Sequence, residues 1–271
     1  MKKYGRMLVG FCFVSVAFAA SAAMAVEVRV TIRNLSVDGS VALSPFTLAA
    51  HDGSFDAFNS GAAASAGIED VAELGDGMNL AAEATAAQAS AVIATAIATQ
   101  GGFGPGIFRP GASGSVVLSL DPALHRYLTY GSMVVPSNDA FLGNDSPTVV
   151  ELFDAGGNFV ASDFTLTGDR IWDAGTEVNQ LLGAAYVVGQ DAGDGTDENG
   201  MIHLAPLATQ FAPYLNMMTP AGETFTIAPG AATPVASFSF EVVPEPASVA
   251  LFGLGALGLI GLALRTRRTE R

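Results

Sequence analysis

The chain has 271 residues, a formal net charge of −14 and a single cysteine, Cys12. Between residues 26 and 242, five basic residues stand against 24 acidic ones, a balance of −19, and there is no cysteine. Such a field repels nucleic acid and favours cations, although an acidic surface also serves solubility alone. The composition therefore excludes nucleic acid as a partner, and it excludes disulfides and thiolate metal sites in this part of the chain.

The N-terminus has the three parts of a secretory signal peptide. Lys2, Lys3 and Arg6 precede an uncharged apolar run at residues 7–20, and the small-x-small sequence of residues 23–25 follows. The apolar run is too short for a spanning helix, which favours a cleaved signal peptide at residues 1–25. An uncleaved N-terminal anchor is the alternative.

The first half of the exported region mixes strand and loop patterns. Apolar and polar residues alternate over residues 26–35, which predicts a half-buried strand. Residues 41–50 contain Pro45 and are therefore interpreted as an edge strand or a loop. Residues 51–67 are small and polar, and we interpret them as a loop.

An alanine-rich stretch follows. Residues 81–99 favour a helix by propensity, with weak apolar periodicity. The alternative is a short helix, a loop and a β-branched strand near residues 91–99. Residues 101–114 are rich in glycine and predict a loop.

Short strand patterns dominate the remainder of the domain. Residues 154–158 indicate a hairpin turn, and residues 191–200 form an acidic glycine-rich loop. Short strands with frequent turn signals indicate a mainly β fold, an antiparallel β-sandwich with a short alanine-rich helical insert. The predicted strands are residues 115–120, 127–135, 148–153, 159–166 and 238–242.

No enzyme motif is evident. The sequence has no G-x-S-x-G, H-E-x-x-H or P-loop, and its three histidines, His51, His125 and His203, have no telling spacing to a carboxylate and a nucleophile. We therefore predict that the protein is not an enzyme. A hydrolase of unrecognised type stays open because catalytic triads are assembled in space.

Two oxygen-rich clusters are more informative. Residues 136–145 follow an apolar strand directly, and residues 172–177 carry two acids around a tight glycine turn. Calcium takes six to eight hard oxygen ligands, which two acidic loops at the same end of a sandwich could supply. The alternative is that these residues only form turns.

The same two segments carry a family resemblance. Residues 126–144 and 172–177 resemble the central motifs of the spondin N-terminal domain, and the likeness covers about residues 27–207. It implies a β-sandwich similar to C2 domains that binds a calcium ion at one end and occurs in extracellular matrix and adhesion proteins. The chain departs from the animal pattern by lacking cysteines and thrombospondin repeats. The metal positions implied by the motifs are Asp139 and Asp173, then Glu177, with Asn138 and Asn144 as weaker candidates.

The C-terminus carries a three-part tail. Pro244-Glu245-Pro246 precedes eighteen uncharged residues, 247–264, and an arginine-rich end. The apolar run is long enough to span a bilayer, and the arginines place the preceding domain outside the cytoplasm. The tail resembles the PEP-CTERM sorting signal of Gram-negative surface proteins, which implies recognition and cleavage by an exosortase. A permanent single-span anchor is the alternative.

Together these observations predict a signal peptide at 1–25, a spondin-like domain at 26–242 and a sorting tail at 243–271. The protein would be anchored transiently in the inner membrane and then reach the cell surface or extracellular matrix, with a structural or adhesive role. A carbohydrate-binding adhesin that recognises exopolysaccharide or other matrix components is the alternative, with Trp172, Tyr127 and Tyr130 as stacking faces.

Overall fold

The computed structural model describes residues 25–244. The predicted signal peptide up to residue 24, most of the sorting tail and the predicted span at 247–264 lie outside these residues. Within the described part, no helix has both the length and the apolar character needed to cross a bilayer. The strands are β1 (Val26–Asn34), β2 (Ala42–Leu43), β3 (Phe46–His51), β4 (Val92–Ala96), β5 (Ser113–Leu120), β6 (Tyr127–Val135), β7 (Ala140–Gly143), β8 (Phe164–Thr167), β9 (Ile171–Asp173), β10 (His203–Leu204) and β11 (Pro234–Val242), and the helices are α1 (Ala66–Leu74), α2 (Met78–Ala87) and α3 (Leu207–Gln210).

Two antiparallel sheets form a sandwich. One has the strand order β5-β1-β11-β8, and the other has the order β10-β9-β7-β6-β3-β4, with β2 also pairing to β6. The prediction of a mainly β antiparallel sandwich is therefore confirmed. The observed bounds of β6 are also those predicted from the sequence.

The core between the sheets follows from the alternation in β1. Val28, Val30 and Ile32 are fully buried, whereas Arg29 and Arg33 lie on the other face. Across the gap, the rings of Phe46 and Phe238 meet edge to face at 5.4 Å. This apolar layer supplies the main hydrophobic stabilisation of the two sheets.

Helices cover the outer face of the larger sheet. Ile68 and Val71 of α1 and Leu80 of α2 pack against Phe141 and Trp172 in a second apolar cluster. Both faces of β3 and β6 are consequently buried, so neither strand shows polar alternation. The expectation of an edge strand or loop around Pro45 is wrong for residues 46–51, because β3 lies between β6 and β4.

In the alanine-rich stretch, the structure agrees with the alternative of a short helix, a loop and a strand. Helix α2 ends at Ala87, and β4 begins at Val92 and pairs with β3. A continuous helix over residues 81–99 is therefore wrong. The sequence interpretation also missed α1, which Ser65 caps by accepting from the Ile68 amide and which ends at Gly75 in the left-handed conformation.

The predicted hairpin around residues 154–158 is only partly present. The turn forms, with the carboxylate of Asp154 accepting the amides of Gly156 and Asn158. Its flanks share one bridge, Phe153↔Phe159, rather than two continuous strands. The chain instead pairs with the start of β6, where Leu128 donates to the Val150 carbonyl.

The sandwich has two distinct ends, joined by β6. Tyr127, at the start of β6, pairs with His51 near the end where β1 begins and β11 finishes. Val135, at the other end of β6, pairs with Ala42 and is followed by the oxygen-rich segment at residues 136–145. The candidate site therefore lies at the end opposite to the start of β1 and the end of β11.

Candidate functional site

Asp139 is placed by the connection between β6 and β7. The Ser137 hydroxyl donates to the Val134 carbonyl (2.6 Å) and accepts the Ala140 amide (3.1 Å), which closes a tight turn. Ala140 then pairs with Asp173 of β9. The turn and this register bring the Asp139 and Asp173 loops to the same end of the sheet, as the sequence predicted.

The two carboxylate oxygens of Asp139 have different surroundings. Oδ2 accepts the backbone amides of Thr176 (3.0 Å) and Glu177 (3.2 Å). Oδ1 is fully buried and has no hydrogen-bond partner among the described residues. A buried acceptor without a partner destabilises a fold by about 1–3 kcal/mol, so such atoms are uncommon in native proteins.

A second loop carries Asp173 and Glu177, with a glycine turn between them. Oδ1 of Asp173 accepts the Gly175 amide (2.8 Å), and Oδ2 accepts from the Asn179 side chain (2.9 Å). Gly175 has φ 66°, and a Cβ there would lie only 2.7 Å from the Met201 nitrogen. Only glycine fits this position, and the tight turn returns Glu177 toward Asp139.

The acidic glycine-rich loop covers Glu177. Residue 177 pairs with Asp197, and the Val178 amide donates to the Thr196 carbonyl. A Cβ on Gly195 would overlap the Glu177 carboxylate, at 1.8 Å from Oε1. The loop backbone therefore lies directly against this carboxylate, and Glu177 as a residue is only 5% exposed.

Burial and mutual repulsion dominate the electrostatics of these groups. Burial, followed by the charge of Asp173, raises the pKa of Asp139 to about 7. Burial also raises the pKa of Glu73 on α1 to about 7, partly opposed by the nearby Thr176 hydroxyl and reinforced by the charge of Glu177. The pKa of Glu177 is raised by burial as well. We call Glu73, Asp139, Asp173 and Glu177 the acidic end.

The donor chemistry of the acidic end fits a hard cation. Carboxylate and hydroxyl oxygens are ligands that calcium prefers, and Asp139 Oδ1 and the Thr176 hydroxyl are both buried without partners within the described chain. Across residues 25–244, however, no three histidine, cysteine or acidic side chains are already spaced as a metal centre. An ion here would therefore draw the loops closer together.

The two asparagines have different roles. Asn138 uses its whole amide, accepting from Gln180 and Tyr214 and donating to Leu182 and Glu177, so it positions Glu177. The structure does not bring Asn144 to the acidic end. It lies beyond the opposite end of β7, where its oxygen accepts the Tyr130 amide (3.0 Å).

Sequence reasoning missed Glu73 as a member of the acidic end and Thr176 as a buried hydroxyl beside it. Glu73 reaches the acidic end because α1 packs on the outer face of β6 and β7. Ser65 and Gly75, the two caps of α1, were the available signal. Thr176 lay inside a noted cluster, but its hydroxyl gave no sign of its burial.

Two of the three histidines are buried and hydrogen-bond to backbone groups, and the third is exposed. His51 is fully buried; its Nδ1 accepts the Gly53 amide, and its Nε2 meets the Thr129 hydroxyl at 3.0 Å. His125 bonds to backbone groups of Asp121 and Ser90. His203 is exposed, 3.8 Å from Asp173. Within residues 25–244, no histidine is hydrogen-bonded to both a carboxylate and a hydroxyl.

The proposed stacking aromatics are largely covered. Trp172 is 5% exposed and packs against Phe58, while Tyr130 is 4% exposed and packs against Phe238. Arg126 lies over the Tyr127 ring at 5.1 Å. None of these rings therefore offers a wide open face to a sugar.

The fold and the acidic end define a β-sandwich module with a cluster of buried carboxylates at one end. The chain belongs to the spondin N-terminal family, since the family model Spondin_N matches residues 39–187, more than half of the chain. A second model, the PEP-CTERM protein-sorting motif, matches residues 242–268. The motif indicates an exported protein of the cell envelope or surface that an exosortase-type enzyme recognises. No curated protein matches the chain.

Proposed function

We propose that this exported, surface-associated protein is a non-enzymatic structural or adhesive module whose acidic end binds calcium. The observation that carries the proposal is Asp139 Oδ1, a buried carboxylate oxygen without a hydrogen-bond partner in the described chain. A divalent cation would satisfy this oxygen and offset the repulsion between Asp139 and Asp173. Bound calcium would supply positive charge and tie the loops together.

Each residue would have a definable part in holding the ion. Asp139 and Glu177 come from different loops, and Asp173 keeps lone pairs beyond its two hydrogen bonds. Asn138 would orient Glu177 rather than bind the ion, since its amide is already fully used. Glu73 would add negative charge from α1.

Calcium-dependent melting of the full chain in detergent tests this proposal. A ligand present at a hundredfold excess over its Kd stabilises the folded state by about 2.7 kcal/mol, roughly 5–10 °C for a domain of this size. We expect a rise of that order with calcium and its reversal by EDTA.

Two variants sharpen the test. Asp139→Asn keeps the shape of the side chain and removes its charge, so it should abolish the calcium response without destabilising the EDTA form. Asp38→Asn changes the charge of an exposed acid in the turn between β1 and β2, which is not part of the acidic end, and should leave the response intact. An unchanged calcium response in Asp139→Asn would contradict the proposal.

A further inference from the structure

A cavity of about 480 Å³ opens on the side of the sandwich, away from the acidic end. It lies where β8 of the smaller sheet faces β6 and β7 of the larger one. Val150, Phe164 and Leu166 give it apolar walls that continue into the main core. Its volume is in the range of small-molecule sites, and its walls suit an apolar body of the size of one ring.

A tyrosine hydroxyl adjoins these apolar walls. Tyr130 lines the cavity, and its ring packs at 6.0 Å from Phe164, but its hydroxyl donates no hydrogen bond to the described residues. Burial raises the pKa of Tyr130 well above its ordinary value, so the hydroxyl keeps its proton. The phenol is therefore a donor that faces the cavity.

The mouth of the cavity carries a guanidinium without an ion pair. Arg29, Arg109 and Arg126 each pair with a glutamate, but Arg170 forms no ion pair within residues 25–244. Arg170 is exposed and belongs to the cavity lining. A guanidinium has five donors in a fork that matches a carboxylate.

Three carboxylates also border the mouth, and two of them are engaged. Glu151 pairs with Arg126 at 3.0 Å, and Asp163 accepts the Phe240 amide at 3.0 Å. Asp145 remains, but its charge acts on the Tyr130 phenol less strongly than that of Arg170. The charge felt at the phenol is thus set first by the arginine, which favours an acceptor on the ligand.

We propose that this cavity binds a small aromatic carboxylate. Its ring would lie between the two sheets, and its carboxylate would accept from the Tyr130 hydroxyl and the Arg170 guanidinium. This site is separate from the proposed calcium ligand Asp139, which lies at the other end of β7.

Ligand-detected NMR of the full chain in lipid nanodiscs tests the site, with 3-phenylpropionate as the probe. Nanodiscs avoid detergent monomers, which would compete for an apolar cavity, and empty nanodiscs correct for partition into lipid. We expect saturable binding, weakened roughly tenfold when the carboxylate is replaced by the hydroxyl of 3-phenyl-1-propanol, the loss of one charge-assisted hydrogen bond.

Three variants locate the binding. Arg170→Gln and Tyr130→Phe should each weaken binding of 3-phenylpropionate several-fold. Ser162→Trp, at an exposed position of the cavity wall, should block it without changing the melting temperature. Arg33→Gln is the matched control, because Arg33 is an exposed arginine without an ion pair in the described chain and lies on β1.

Three outcomes would overturn the assignment. The first is no saturable binding of 3-phenylpropionate to the unaltered chain. The second is equal binding of 3-phenylpropionate and 3-phenyl-1-propanol, which would show that Tyr130 and Arg170 do not recognise the carboxylate. The third is unchanged binding in both Arg170→Gln and Tyr130→Phe.

Discussion

Buried polar groups lie near both ends of β6, but only at its start do they all have hydrogen-bond partners. At its start, His51, Gln88 and His125 form what we call the histidine network, in which both ring nitrogens of each histidine and the amide of Gln88 have partners. Beyond its other end, Asp139 keeps one carboxylate oxygen without a partner and has further carboxylates around it.

This difference indicates that one end stabilises the fold and that the other end has groups free to bind a ligand. A fully satisfied buried network stabilises one conformation and offers nothing to a ligand. A buried acid held beside other acids destabilises the fold on its own and gains from a cation. Only the acidic end should therefore respond to calcium, and the two ends should respond to pH in opposite senses. Four measurements can separate these effects.

The largest expected effect concerns Asp139 in the absence of calcium. Its pKa rises from 3.8 to about 7 on folding, so its favourable contribution is complete below pH 4 and is lost as the pH rises through 7. That rise corresponds to about 4 kcal/mol. We expect the stability gap between Asp139→Asn and the unaltered chain to widen by this order from about pH 4 to pH 8.

Urea unfolding in EDTA, followed by Trp172 fluorescence, measures this gap. Trp172 is the single tryptophan and adjoins Asp173, so it reports on the acidic end directly. Asp38→Asn serves again as the control and should run parallel to the unaltered chain. A constant gap across the pH range would show that Asp139 is not held in a destabilising environment.

His51 should show the reverse dependence. Burial lowers its pKa from 6.5 to about 4, so its contribution to stability is present above pH 6.5 and is lost as the pH falls toward 4. The loss amounts to about 3 kcal/mol. We expect His51→Gln to flatten the acid side of the stability curve in EDTA and in calcium alike. An acid side as steep in His51→Gln as in the unaltered chain would contradict this prediction.

Gln88 tests the network without a titratable group. Its side chain accepts the Asp52 amide (2.7 Å) and donates to the Leu124 carbonyl (3.0 Å). Gln88→Leu should lower the free energy of unfolding by about 2 kcal/mol, because both backbone groups lose their partner. The loss should be equal with calcium and with EDTA, as measured by urea unfolding. A loss that calcium restores would mean that the two ends are coupled.

The smallest effect is expected at Glu73. It contributes charge to the acidic end from α1 and is less buried than Asp139. Glu73→Gln should lower calcium affinity about threefold, the range of one partly screened charge interaction. Calorimetric titration with calcium measures the change. A complete loss of binding would instead make Glu73 a direct ligand, equal to Asp139.

The strands were easier to predict than the helices that complete the site. The period-two alternation indicated β1, and the short run of β-branched and aromatic residues indicated β6. Helix α1 was missed because it is short and begins in a small, polar segment, and Glu73 was missed as a site residue with it. Its caps, Ser65 and Gly75, mark only its ends.

Within the candidate site, the sequence predicted which acidic residues lie close together. It could not predict which of their oxygen atoms would lack hydrogen-bond partners. Asp139 and Asp173 stand in the two acidic clusters that resemble the family motifs, so their meeting was expected, and the pairing of β7 with β9 brings them together. The free oxygen of Asp139 and the full use of the Asn138 amide depend on the three-dimensional course of residues 175–182. Asn144 stood in the same motif, but β7 separates it from Asp139.

The pairing of β1 with β11 has a mechanical consequence. Seven residue pairs join them, from Val28↔Val242 to Asn34↔Ala236, and the Val243 amide still donates to Glu27 just before Pro244. A pull between the tail and the acidic end would act along these strands, perpendicular to their hydrogen bonds. It would have to shear the whole ladder at once rather than unzip it bond by bond, a resistance that the proposed structural or adhesive role would use.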